Sequence, residues 1–382
     1  MNRPPQTKTE DLDLQRQVLG LFLTGNQSAS LSPRLAQMLG NGLRGAVLFS
    51  RNVVSHPQTV SLCRAIREAR GQGAILGIDQ EGGHVARLRD GYFVAPPMSE
   101  LGRLATPELI YDLGRLMGLQ LRGLGINLNF APVLDVDTNP DNPVIGSRSF
   151  GADPRLVAEL GVALAHGLQD VGVAACGKHF PGHGDTHQDS HLTLPRLPQP
   201  RNRLDEIELP PFRHAIDHGI ASIMTAHIVF ESLNPLPEDD TPATMSRAVI
   251  TDLLRDEMNF RGVVISDDLE MKAIADRVSI EDAAVGCLRA GVDLMLVCHQ
   301  HELVEKAATA VVAAVRSGAL DEDVIHDAHA RVEQLAQSYR SVEAEEDENQ
   351  ELQALTQKLN AAFTDLGIVA GGPQLDPTDF QT

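Results

Sequence analysis

Eight short apolar runs rich in β-branched residues, separated by helical stretches, constrain this chain more than any other feature. They fall at roughly 18–25, 45–50, 74–79, 127–135, 173–179, 221–228, 262–267 and 294–298. Runs that are apolar throughout, rather than alternating, suit strands buried on both faces, the environment of parallel strands covered by crossover helices. The helical stretches have legible starts. Ser32-Pro33, Thr106-Pro107 and Asp153-Pro154 each place a side-chain oxygen before a proline at the first helical position, where the missing N–H costs nothing. Ser246 and Ser279 read as further N-caps. Eight strand-helix units in about 330 residues predict an α/β fold, a (β/α)8 TIM-type barrel, although a doubly wound open sheet uses the same local alternation.

The expected division is a single catalytic domain over residues 1–340 and an acidic C-terminal extension, helical or disordered, over 341–382. That extension opens with Glu343, Glu345, Glu346, Asp347 and Glu348 and holds one basic residue, Lys358. One amphipathic helix fits 349–363, and the Gly371, Gly372, Pro373 and Pro377 region beyond cannot continue it. The formal net charge of -20 repels phosphate backbones and anionic lipid, so neither nucleic acid nor membrane is an expected partner. No run approaches the ~20 apolar residues that span a bilayer, and Met1 to Gln15 lacks the apolar stretch of a secretory signal. The four cysteines, Cys63, Cys176, Cys287 and Cys298, stand far apart and read as free thiols. A cytoplasmic protein, monomer or weak dimer, is expected.

In a barrel of this kind reactive groups sit where strands run out into the following loops. Asp79 closes the third run, Asp135 the fourth, Lys178 and His179 the fifth, His227 the sixth and Asp267 the seventh. Ionisable groups at the ends of apolar strands are costly to bury alone, so five strands ending this way imply one shared site. The densest segment is Lys178-His179-Phe180-Pro181-Gly182-His183-Gly184-Asp185-Thr186-His187-Gln188-Asp189-Ser190-His191. Its histidines recur at every fourth position, but Pro181, Gly182 and Gly184 forbid a continuous helix, which makes it a loop, running from about 180 to 207.

These motifs resemble glycoside hydrolase family 3, in its β-N-acetylglucosaminidase branch. The likeness rests on KHFPGHGDTHQDSH at 178–191, DQEGGHVARL at 79–88, NFAPVLDVD at 129–137, NPVIGSRSFG at 142–151 and ISDDLEM at 265–271. It implies a retaining, exo-acting β-N-acetylhexosaminidase that acts on terminal N-acetylglucosamine, in cytoplasmic members on cell-wall muropeptides. Asp267 would be the nucleophile, and His191 held by Asp189 the general acid/base. Asp268 would point elsewhere from an extended strand end. Asp79 would accept from sugar hydroxyls, while Arg87, Arg148, Lys178 and His179 would donate to hydroxyls or to the N-acetyl carbonyl. His227, His183 and Asp185 would support the site. Neither cofactor nor metal is implied.

The chain departs from the family pattern at His84, where arginine is frequent, and it lacks tryptophan, so any stacking surface must be phenylalanine, tyrosine or aliphatic. Two other chemistries suit the same residues: phosphorolysis on the same fold, and a metal-dependent hydrolase built on the His/Asp cluster, against which Lys178 counts.

Overall fold

In the computed structural model, which describes residues 8–187, 190, 193–234, 240–340 and 346–368, eight parallel strands close into a barrel. The strands are β1 (Phe22–Gly25), β2 (Gly45–Leu48), β3 (Ile75–Ile78), β4 (Leu128–Asn129), β5 (Ala174–Phe180), β6 (Ser222–Thr225), β7 (Val263–Asp268) and β8 (Leu294–Val297). Closure is made by β1 against β8, with Phe22 opposite Met295 and Thr24 opposite Val297. Every run named from the sequence supplies one barrel strand. The open-sheet alternative is thereby excluded.

Two runs are shorter as strands than their apolar composition suggests. Val18 and Leu19 end the helix Lys8–Leu19, and the strand begins only at Phe22. Val18 is fully buried all the same, because this helix packs inward, and apolar content does not distinguish a helix end from a strand. Of 127–135, only Leu128–Asn129 pair regularly. Pro132 has no N–H for a ladder, and beyond it a single bridge joins Val133 to Lys178.

The predicted helix starts form through their side chains. Ser32, Thr106, Asp153 and Ser279 accept from the backbone N–H of Leu35, Leu109, Arg155 and Asp282. Ser246 contributes its carbonyl instead, to the N–H groups of Val249 and Ile250. A helix also forms over Glu346–Asp365. It buries Leu355, Leu359 and Phe363 and sets Glu348 and Glu351 against Arg122 and Arg115 of the helix Pro107–Leu124. All four cysteines are free and buried. Among the described residues no helix is long and apolar enough to cross a membrane.

Candidate active site

The loop after β3 is a small hairpin, Gln80–Gly82 antiparallel to Val85–Ala86. Its turn requires the glycine pair. Gly82 and Gly83 have φ of 116° and 56°, and a Cβ on Gly82 would lie 2.8 Å from that of Ala95. Gln80 braces the return strand by accepting from the N–H of Arg87 and of Leu88. Arg87 is thereby turned back on Asp79, its Nη2 donating to Oδ2 at 3.3 Å.

Glu81, to which the sequence reading gave no role, organises the floor. It accepts from Nε and Nη2 of Arg148, both at 2.8 Å, and pairs with Lys178 Nζ at 2.7 Å. Lys178 also donates to Asp79 Oδ1 at 2.7 Å. Burial alone would raise the Glu81 carboxyl, but the Arg148 guanidinium and Lys178 ammonium outweigh it and hold the group well below the carboxylate range. Asp79 likewise ends below its usual value, because Lys178 and Arg87 overcome the effect of burial. Burial would lower Lys178, and its two carboxylate neighbours hold it above its ordinary value instead. The cluster is therefore fully ionised at neutral pH. His84, beside it, has Nδ1 3.4 Å from Ser147 Oγ and is pushed down by burial and by Arg148.

Asp135, fully buried, takes the His179 ring (Nδ1 to Oδ2, 2.7 Å) and the backbone N–H of His179 and His183. Burial would raise it, and His179 more than compensates. His183 goes the other way, lowered to about 4 by burial and by the neighbouring His179, and is neutral at physiological pH. Its Nδ1 meets Thr186 Oγ1 at 2.8 Å and its Nε2 meets Ser190 Oγ at 3.0 Å. Asp185 accepts from Thr138 Oγ1 at 2.9 Å and from Gln199, tying the loop to its neighbours. Asp189 and His191 lie outside the described residues. Ser190, between them in sequence, is buried and lines the central cavity.

That cavity encloses about 770 Å³ including its mouth, and its walls bring together Asp79, Arg87, Arg148, Lys178, His179, His183 and Asp267. His227 is not on the wall. It is buried behind it, with Nδ1 on Thr244 Oγ1 at 2.9 Å and Nε2 on the Asp268 carbonyl at 3.0 Å. Asp268 corrects an expectation: alternation along a strand would aim it away from Asp267, yet both line the cavity. The β7–β8 register shifts between Ile265 and Asp268, and such a bulge re-aims the side chains that follow it. Phe49, Phe130, Met224 and Met271 are among the apolar side chains facing the same space. A carboxylate facing the same cavity as a bank of fixed donors and acceptors suits attack on a polyhydroxylated ring.

Glu81 is within reach of the sequence, since it stands two residues after Asp79 in the same motif, on the alternation that returns side chains to one face, while Asp135 is already among the strand-end residues named there. His299 and Phe49, also on the wall, carry no signal in sequence, since each acquires its place only from closure of β1, β2 and β8.

The glycosyl hydrolase family 3 N-terminal domain matches residues 14–335. A β-hexosaminidase of Nitrosomonas eutropha is 36% identical over 304 residues, 78% of this chain and 84% of that one. A family 3 β-N-acetylglucosaminidase structure from Paenibacillus sp. str. FPU-7 superposes with a TM-score of 0.83 at 38% identity, covering 90% of this chain and 68% of that one. NagZ from Neisseria gonorrhoeae, solved with N-trifluoroacetyl-D-glucosamine, gives a TM-score of 0.75 at 32% identity, over 91% and 97% of the two chains. Built on the same barrel and matched over most of its length, this chain belongs to glycosyl hydrolase family 3, alongside the NagZ-type members, and is a glycosidase.

Proposed function

We propose that this glycosidase is a retaining, exo-acting β-N-acetylhexosaminidase that removes terminal β-linked N-acetylglucosamine, with cell-wall muropeptides in the cytoplasm as its natural source. Asp267 attacks the anomeric carbon to give a glycosyl-enzyme; the imidazole of His191, oriented by Asp189, protonates the departing oxygen and then deprotonates the water that releases the sugar. Asp79, Arg87, Arg148, Lys178 and His179 hold the hydroxyls and the N-acetyl group, and residues 1–340 carry the activity.

The observation that carries the reading is the shared cavity. Asp267 projects into it from the end of β7, and Ser190, one residue from each member of the acid/base pair, lines the same space. The β-hexosaminidase relatives and the N-trifluoroacetyl-D-glucosamine complex of the gonococcal NagZ support the choice of sugar.

The test is a fluorinated N-acetylglucosaminyl fluoride, whose adduct accumulates when breakdown of the intermediate is slow. The label is expected on the peptide holding Asp267, and proton NMR of a natural turnover should show the β-anomer forming first. A label elsewhere, or an α-anomer as first product, defeats the proposal. The same turnover in phosphate buffer separates hydrolysis from phosphorolysis, since only the latter yields a sugar 1-phosphate.

A further inference from the structure

The side chain next to the nucleophile is anchored on every side, and none of its described contacts is accounted for by the chemistry above. Asp268 Oδ1 accepts from the N–H of Glu270 at 3.1 Å and from that of Cys298 at 3.2 Å, beyond the end of β8. Its Oδ2 lies 3.4 Å from His299 Nε2. Its carbonyl accepts from His227 Nε2 at 3.0 Å and from the N–H of Met271. Its own N–H donates to Asp267 Oδ1 at 2.8 Å. The residue thus ties the end of β7 to the loop after β8 and to a buried histidine of the sixth strand's loop, and the one bond it directs into the site falls on the attacking carboxylate.

From this geometry we infer that Asp268 is a positioning residue for the nucleophile: its carboxylate and carbonyl, held by the Cys298 N–H, His299 and His227, fix the bulged end of β7 so that its N–H pins one oxygen of Asp267.

The physical argument is one of rotamer freedom. An aspartate at a strand end has two side-chain torsions to settle, and the torsion that turns the carboxyl about its last bond is broad. A donor fixed at 2.8 Å from Oδ1 selects one setting of that torsion. The donor itself stays put only if the peptide between Asp267 and Asp268 cannot rotate, and the anchors on either side of that residue supply the restraint. Their partners reinforce it. The hydrogen bond to Asp268 raises the His299 pKa above its ordinary value, and Glu270 accepts from the His299 backbone N–H to hold the loop that carries it. The inference rests on Asp267 being the nucleophile, so the experiment reads that point separately.

Purified full-length Asp268→Ala, Asp268→Asn and His227→Phe are compared with the parent for kcat, KM and the rate of labelling by the fluorinated N-acetylglucosaminyl fluoride. A displaced reacting group can cost on the order of 100-fold, so Asp268→Ala should lower kcat and the labelling rate together by about 30- to 100-fold with KM within about twofold. Asp268→Asn keeps the oxygen that accepts from Glu270 and Cys298 and should recover most of the loss. His227 does not line the cavity and its Nε2 bonds the Asp268 carbonyl, so a fall of about tenfold in kcat at unchanged KM is expected of His227→Phe, and this variant serves should Asp268→Ala fail to fold. Unchanged kcat in Asp268→Ala and His227→Phe with the label still on Asp267 overturns the positioning role alone. So does a rise in KM at constant kcat, which would make Asp268 a sugar contact. A parent label mapping away from Asp267 overturns the nucleophile assignment and this inference with it.

Discussion

Replacing Glu81 with glutamine removes a charge and almost no volume from the most tightly paired point of the cavity floor. Glu81 is 2% exposed and receives three charge-assisted contacts at 2.7 to 2.8 Å, two from Arg148 and one from Lys178. A glutamine offers one acceptor oxygen and one amino group, and the amino group must face either a guanidinium or an ammonium, both donors. One cation is then left in a buried site without its counter-charge. Breaking a buried ion pair from one side costs about 3–5 kcal/mol, against a total of about 5–15 kcal/mol for a folded domain. Lys178 keeps Asp79 and Arg148 keeps the Val144 carbonyl, so the lower half of that range, about 3 kcal/mol, is expected. Urea unfolding of parent and variant at pH 7, followed by far-UV circular dichroism, measures the difference. KM for a nitrophenyl β-N-acetylglucosaminide should rise in parallel, since the two cations no longer hold their places. An unfolding free energy within about 0.5 kcal/mol of the parent would show that the pairing contributes no net stability and would refute the reasoning.

Two further outcomes follow from the loop after β5. Because the folded protein holds the His183 pKa down at about 4 while the unfolded chain titrates near 6.5, the unfolded state binds the extra proton first; stability is full above 6.5 and falls as pH drops from 6.5 to 4, by about 3 kcal/mol. A His183→Gln variant should lack this part of the pH dependence in urea unfolding between pH 7 and 4.5, and identical pH dependence in the two proteins would contradict it. Gly184→Ala would place a methyl carbon 1.8 Å from the Val136 carbonyl oxygen, so the backbone must move. The shift propagates toward Asp185 and the residues that follow, and kcat/KM should fall by about 100-fold while the fold loses about 1–3 kcal/mol. Activity within twofold of the parent would show that the close approach is dispensable.

The fold was legible in the sequence because the barrel strands are buried on both faces and are therefore largely apolar, with ionisable groups falling only near their C-terminal ends. The helix starts were legible because a capping oxygen before a proline has one structural use. What remained hidden depends on pairing. The bulge that brings Asp268 beside Asp267 is a property of β7 against β8, and nothing in Ile265-Ser266-Asp267-Asp268-Leu269 announces it. Val18 and Leu19 were read as strand because helix end and strand start share one apolar run, broken only at Gly20. Strand ends point to Asp79, Lys178, His179 and Asp267, all on the cavity wall, and to Asp135 and His227, which are buried and do not line it. Glu81, the carboxylate that pairs with Arg148 and Lys178, ends no strand and is set apart only by the counter-charges its two cations need.

Those counter-charges bear on what the cavity can hold. On the side built from the third, fourth and fifth strands, the carboxylates Asp79 and Glu81 are paired with the cations Arg87, Arg148 and Lys178, and Asp135 with the His179 ring. A wall in which positive and negative groups cancel exerts little net pull on an ion, while each group still offers a hydrogen bond about twice as strong as a neutral one. A polyhydroxylated, uncharged ring uses such a wall fully: hydroxyls donate to the carboxylate oxygens and accept from the cations, and no counter-ion has to be released. The charge imbalance lies across the cavity, where Asp267 and Asp268 share the wall with His299 and with the apolar faces of Phe49 and Met271. Negative charge is concentrated there, where a sugar whose anomeric carbon is becoming cationic would be stabilised. Neutral recognition on one wall and anionic stabilisation on the other is the arrangement expected of a site that binds a sugar weakly in its ground state and more tightly as the glycosidic bond breaks.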